Sequence, residues 1–296
     1  MRLAGRATST RGAFMERIDS HQHFWIYNTE QYGWITPEKS ALRRDFLPAD
    51  LQPLLATTGF DGSIAVQARQ CIEETDWLLE ISKQHNFVKG VVGWVDLRAD
   101  DLEKQLGKYA RETKLVGVRH VVHDEPDDRF ILRPKFRRGI ALLGQFNLTY
   151  DLLLFPRHLP AAIRLAEEFP KQRFILDHIA KPAIGSREQP VWQQGIEMLA
   201  DLTNVSCKVS GMVTEARRSK WRGEDFYPYL DVVTEAFGPD RLMIGSDWPV
   251  CTLAGSYAGV MDVVTSYVER LPAKAREGVL GGNCARIYRL GGGRRP

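Results

Sequence analysis

Short runs of β-branched and apolar residues recur along the chain, and between them apolar residues fall three and four positions apart. Eight such runs stand out. They end near His23, Gln67, Asp96, His120, Leu153, His178, Ser210 and Asp247, as in Gly62-Ser63-Ile64-Ala65-Val66-Gln67 and Phe174-Ile175-Leu176-Asp177-His178. The stretches Glu74 to His85, Asp101 to Glu112, Pro134 to Phe146, Leu159 to Phe169, Val191 to Leu202 and Phe226 to Phe237 carry the helical period, with Leu102, Leu106 and Tyr109 showing the spacing. Compact apolar runs alternating with amphipathic helices predict parallel strands joined by right-handed crossovers. Eight strands are what a closed (β/α)8 barrel needs, so the expected fold is α/β, a single-domain TIM barrel. A doubly wound open sheet competes. It would carry a glycine-rich phosphate loop after its first strand, where this chain reads His21-Gln22-His23.

The barrel is expected over residues 16–290. Residues 1–15 carry Arg2, Arg6 and Arg11 without apolar period and are expected to be a disordered extension; residues 291–296 are expected to be a flexible tail. Met15 directly precedes the first strand, so a start at Met1 or at Met15 stays open. One long insert, Phe24 to Pro48, holds Trp25, Tyr27, Tyr32 and Trp34. Because it follows the first strand, it should overhang the mouth of the barrel, where barrel enzymes build their sites.

Composition narrows the function classes. A chain of 296 residues with 44% hydrophobic positions can bury a large core. The net charge of +3 is too small to point to nucleic acid. No apolar segment is long enough to cross a bilayer, and the arginine-bearing N-terminus lacks the apolar stretch of a secretory signal. The four cysteines, Cys71, Cys207, Cys251 and Cys284, show no CxxC spacing and no disulfide framework, which fits a cytoplasmic protein. An oligomer is compatible with all of this.

Candidate chemistry gathers at the strand ends. Alternate residues of a strand face the same way, so His21 and His23 present two imidazoles side by side. Strand six adds His178 and strand eight adds Asp247. These strands are remote in sequence but meet in a closed barrel. Three imidazoles and a carboxylate form an N/O set for one divalent ion, and the carboxylate can also take a proton from water. Each residue alone has a plainer reading: Asp247 would cap a helix in Gly245-Ser246-Asp247-Trp248-Pro249, and His178 would cap a turn. Their joint placement favours a site. Gln67, Trp94, Asp96, Arg119, His120, Asp151, Lys208 and Trp248 also fall at or near strand ends and are candidate substrate contacts. Arg119 offers a planar fork for a carboxylate or carbonyl, with an ion pair to Asp124, Glu125 or Asp127 as the alternative. Lys208 would hold charge developing on an oxyanion. Trp25, Trp34 and Trp248 would stack on the apolar face of a sugar ring, or serve simply as core.

The segments Ile18-Asp19-Ser20-His21-Gln22-His23-Phe24-Trp25, Leu176-Asp177-His178-Ile179-Ala180-Lys181-Pro182, Cys207-Lys208-Val209-Ser210-Gly211 and Gly245-Ser246-Asp247-Trp248-Pro249 resemble the amidohydrolase superfamily, nearest to its amidohydrolase-2, fuconolactonase-like branch. The resemblance runs from about residue 16 to Leu290. It implies a (β/α)8 barrel with metal or catalytic positions at His21, His23, His178 and Asp247. Many amidohydrolases bridge two metals with a carboxylated lysine; strand four here reads Gly117-Val118-Arg119-His120 and offers no such lysine, which implies one ion, zinc before others. A metal-free variant, with the histidines binding substrate directly, stays open.

Together these expectations describe a hydrolase that opens a sugar-derived aldonolactone of the L-fuconolactone or L-rhamnonolactone type, with Asp247 and His178 in the chemistry. Two other readings stay open: decarboxylation of an unsaturated or aromatic acid on the same barrel, and a non-catalytic barrel kept as a scaffold. The intact histidine and aspartate set argues against the scaffold.

Overall fold

The computed structural model describes residues 15–186, 189–216 and 220–291. The expected extension and tail lie outside the described residues except for Met15 and Gly291. Eight parallel strands follow one another around a single sheet: β1 (Ile18–Gln22), β2 (Gly62–Val66), β3 (Val88–Gly93), β4 (Leu115–His120), β5 (Thr149–Leu152), β6 (Phe174–Leu176), β7 (Val205–Val209) and β8 (Leu242–Ile244). Just beyond β8 the sheet meets β1 again. Asp247 N donates to the His21 carbonyl at 2.8 Å, and His23 N donates to the Trp248 carbonyl at 2.7 Å. The fold is the expected (β/α)8 barrel.

Helices α1 (Pro48–Thr58), α2 (Ile72–Gln84), α3 (Leu102–Lys108), α4 (Pro134–Gln145), α5 (Leu159–Glu168), α6 (Pro190–Ala200), α7 (Tyr227–Phe237) and α8 (Tyr257–Val268) follow the strands in turn. Proline opens α1, α4 and α6, where its missing N–H would have no partner in any case. Apolar positions three and four apart, such as Leu159, Ala162, Ile163 and Ala166 of α5, turn inward and pack on the strands. The strands are buried on both faces, as parallel strands covered by helices must be.

Inside the barrel the side chains lie in layers. Ile18, Ile64, Val92, Val116, Ile175 and Met243 form an apolar floor, closed by Cys284, Ile287 and Tyr288 from the last helical segment. Above the floor the layer is charged. Lys208 lies 2.6 Å from Asp151 and 3.0 Å from Asp177, and Arg119 lies 3.0 Å from Asp177. Tyr288 donates its hydroxyl to Asp151 at 2.6 Å. Two cations and two carboxylates balance, which is the condition under which buried charge is tolerated. Burial works to strip Lys208 of its proton, but Asp151 and Asp177 outweigh it and raise its pKa. Among the described residues no helix is long and apolar enough to cross a membrane.

Candidate active site

On top of the charged layer, three imidazoles and a carboxylate converge. His21 and His23 stand at and just past the end of β1, with their Nε2 atoms 3.2 Å apart. Asp247 Oδ1 lies 3.3 Å from Nε2 of His23, 3.7 Å from Nε2 of His178 and 3.8 Å from Nε2 of His21. The ends of β1, β6 and β8 therefore meet as their spacing in the sequence suggests.

The outer nitrogens explain how the rings are aimed. His23 Nδ1 lies 2.8 Å from the Val66 carbonyl, which can only accept, so Nδ1 carries a hydrogen and the ring turns Nε2 to the centre. His178 Nδ1 is hydrogen-bonded to Ser210 Oγ at 2.8 Å. His21 Nδ1 faces Asp177 Oδ1 at 3.4 Å and Lys208 Nζ at 3.3 Å. Burial holds His21 and His178 well below the usual imidazole range, so both are neutral and able to ligate. Burial opposes ionisation of Asp247, but the neighbouring His178 and His23 and the nearby Lys181 outweigh it and hold its pKa below the usual carboxylate range. Buried imidazoles and carboxylates this close together, in the overlapping triads His21–His23–Asp247 and His21–Asp177–His178, make donor sets that fit a divalent metal ion.

Backbone geometry supports the set from two sides. Asp19 accepts from Ser246 N and Oγ at 2.9 and 2.6 Å, from His21 N at 3.1 Å and from Tyr257 OH at 3.1 Å, clamping the seam between β1 and β8. Its burial pushes the carboxyl up to about 6. Asp247 itself sits in left-handed backbone at φ 57°. From there its carboxylate meets His21, His23 and His178.

His23, His178 and Asp247 open onto a cavity of about 670 Å³, with His21 wholly buried behind them; the cavity is walled also by Gln67 and Arg119 and overhung by Gln31, Gly33, Trp34 and Lys39 of the first loop. Lys181, paired with Glu215 at 2.6 Å, and His123, stacked on Phe155, complete one side. Burial lowers His123 to about 3, so it meets a ligand as a neutral ring. A hollow of about 970 Å³ between the loops after β6 and β7 holds none of the converging histidines.

Several expected substrate contacts lie elsewhere. Lys208 is wholly buried beneath His21 and tied to Asp151 and Asp177, so it cannot reach a ligand in the cavity. Trp25 is wholly buried against Tyr32, Trp34 and Phe46, and its Nε1 donates to the Arg44 carbonyl. Trp248 packs between Phe24 and Phe46. His120 stacks on Phe130 and binds Glu125 at 2.7 Å, and Trp94 donates Nε1 to His120, so both stand behind the cavity wall. Aromatic rings at loop bases have core to join, and here they join it. Arg119 does line the cavity. Its ion-pair partner is Asp177 rather than Asp124, Glu125 or Asp127, and it also donates to the Gln67 carbonyl at 2.5 Å and to Oε1 at 3.2 Å. Sequence reasoning did not single out Asp177 as the residue behind His21. Its signal was period two: it lies two positions beyond the inward-facing Ile175.

The sequence pattern of the amidohydrolase family matches residues 18–290. The chain belongs to this family. It is 42% identical to an L-fucono-1,5-lactonase from Burkholderia multivorans (strain ATCC 17616 / 249), over 93% of this chain and 96% of that protein. It is 38% identical to an L-fucono-1,5-lactonase from Burkholderia ambifaria, over 93% of this chain and 96% of that protein. The crystal structure of an amidohydrolase from Burkholderia multivorans with bound zinc superposes with a TM-score of 0.89 at 42% identity, covering 93% of this chain and 99% of that one. An amidohydrolase barrel thus carries converging histidines and an aspartate at its mouth, above a layer of buried charge.

Proposed function

We propose that this amidohydrolase opens a sugar-derived 1,5-lactone, of the L-fuconolactone type, to the free aldonic acid. The observation that carries the reading is the meeting of His23, His178 and Asp247 at the floor of a polar cavity with His21 buried just behind them, in a chain 42% identical to an L-fucono-1,5-lactonase over nearly its whole length. His21, His23, His178 and Asp247 would hold one divalent ion, zinc before others. When bound, such an ion polarises an ester carbonyl and lowers the pKa of water.

The chain's own residues then have separate tasks. Asp247, held ionised among the histidines, accepts a proton from the attacking water as its oxygen bonds the lactone carbonyl carbon. When the tetrahedral adduct collapses, the acyl carbon–ring oxygen bond breaks and Asp247 returns that proton to the ring oxygen, which leaves as a hydroxyl. The new carboxyl group ionises in solvent, so one lactone and one water give one aldonate and one proton. His178 is kept neutral and fixed by Ser210, and its ring is held beside Asp247. Arg119, whose terminal donors go to Asp177, His21 and Gln67, keeps the His21 ring in place and adds fixed positive charge beneath the reacting carbonyl. Gln67, Trp34 and Gln31 line the walls with donors, acceptors and a ring face suited to a polyhydroxylated substrate. A cytoplasmic setting goes with this reading, supported by four cysteines none of which is paired.

The test is a panel of aldono-1,5- and 1,4-lactones, aryl esters and amides, followed as acid release at constant pH above a no-enzyme control. The reading predicts turnover of one or more six-carbon sugar lactones far above that of any aryl ester. Good hydrolysis of aryl esters with every lactone at background would overturn it.

A further inference from the structure

Four consecutive residues with side chains follow β6 in left-handed backbone: His178 (φ 55°), Ile179 (48°), Ala180 (60°) and Lys181 (50°). Left-handed helical backbone is strained for an L-residue. Pro182 adds to the strain, because a residue before proline is pushed out of helical backbone. Such a run persists only where the surroundings over-determine it. They do so here. Lys181 N closes the turn on the His178 carbonyl at 2.7 Å, Trp192 Nε1 donates to the Ile179 carbonyl at 2.7 Å, and Ile179 and Ala180 are wholly buried.

Glycine would relieve the strain at any of the four positions, yet none is glycine. His178 belongs to the converging set, and Ile179 and Ala180 fill core. Lys181 needs a reason of its own, and the turn supplies it. A turn closed from i to i+3 has about three residues per turn, so side chains at i and i+3 stand over one another. His178 and Lys181 accordingly face the same cavity. Glu215, reaching from the loop after β7, braces the Lys181 ammonium at 2.6 Å, with the two side chains 14% and 22% exposed. An ammonium has three donors, and this contact occupies one. Of the other cations on the cavity wall, Arg119 is committed to Asp177 and Gln67, Lys39 donates to the Trp34 carbonyl and Arg69 lies over the Tyr32 ring. Lys181 alone among them shares a turn with a converging histidine.

We propose that Lys181 is the substrate-binding cation of this site, donating to oxygens on the acyl side of the lactone and to the carboxylate of the opened acid. The inference rests on the lactonase reading above. It moves to Lys181 the role that the sequence alone suggested for Lys208.

The experiment compares wild type, Lys181→Met, Lys181→Arg and Glu215→Gln. For each, kcat and KM are measured on the preferred lactone, binding of its aldonate product is measured by calorimetry, and metal content and melting temperature are recorded. Lys181→Met should raise KM and the aldonate Kd tenfold or more while metal content stays at the wild-type level. Lys181→Arg, which keeps the charge, should recover most of that loss. A lysine needed only to pair with Glu215 would lower the melting temperature in the Met and Gln variants and leave the aldonate Kd unchanged. A Met variant with KM and Kd within twofold of wild type overturns the proposal. Should Lys181→Met not fold, Glu215→Gln decides: aldonate binding weakened threefold or more supports the proposal, and unchanged binding overturns it. Wild type that opens no lactone removes the functional reading and this inference with it. Wild type that opens lactones beside an unaffected Met variant removes the inference alone.

Discussion

A Cβ placed on Gly211 would lie 2.5 Å from Nδ1 of His178 and 2.6 Å from its Cγ, at a φ of 61° that side-chained residues rarely adopt. The glycine after β7 is therefore what leaves room for the His178 ring in its hydrogen bond to Ser210. Gly211→Ala should cost roughly 1–3 kcal/mol in stability from the backbone alone. It should also tilt the His178 ring away from Asp247, so that zinc affinity falls at least tenfold. Thermal unfolding and zinc titration by calorimetry check the two effects. Wild-type zinc affinity in the Ala variant would show that His178 tolerates displacement or does not bind the ion. At this scale the sequence was partly legible. His21, His23, His178 and Asp247 were readable because strand-end polar residues break an apolar run. The constraint on Gly211 was not, because it arises from a ring two strands' length away in sequence and adjacent only in space.

The elements around the site are pinned to one another by single buried groups. Glu74, in the first turn of α2, accepts from Ala68 N at 2.9 Å and Arg69 N at 2.7 Å, and Tyr32 of the first loop donates to it at 3.4 Å. Burial pushes its pKa up from 4.5 to about 7. The folded state therefore holds this proton where the unfolded chain has lost it. The resulting stability is complete below about pH 4.5 and is lost as pH rises through about 7, amounting to on the order of 3 kcal/mol. Glu74→Gln removes the titration, so the stability difference between wild type and variant should shift against wild type between pH 5 and 8. Denaturant unfolding at several pH values measures it, and a difference constant with pH would contradict the assignment. Element boundaries were less legible than the elements. The apolar runs locate all eight strands, but β3 ends at Gly93 rather than Asp96, β6 at Leu176 rather than His178, and β8 at Ile244 rather than Asp247. Hydrophobicity reports burial, and these segments stay buried after the backbone has left the sheet; the left-handed turns at His178 and Asp247 have no glycine to announce them.

Across the whole molecule the site stands on a balanced layer of buried charge, which stands on an apolar floor. Removing one member should be severe. Lys208→Met leaves Asp151 and Asp177 facing each other with only Arg119 to offset them, and should lower stability by about 3–5 kcal/mol. Urea unfolding checks this, and a loss below about 1 kcal/mol would mean that the layer adapts. Alternation places Lys208 on the inward face of β7 but does not say how deep in the barrel it sits, which is why a lysine that supports His21 reads in sequence like one that meets substrate. The same ambiguity affected Trp25 and Trp248, whose rings look alike in sequence whether they face a sugar or the core.

Lactone hydrolysis with Asp247 as the group that moves the proton is the claim on which the rest depends. The direct measurement is the initial rate of acid release from L-fucono-1,5-lactone at constant pH, above the spontaneous rate, for wild type and Asp247→Asn at matched metal content. The account predicts rapid opening by wild type and a rate at least about a hundredfold lower for the Asn variant, with the fold retained. An Asn variant within about threefold of wild type, on the scale where loss of a general base costs orders of magnitude, would contradict it.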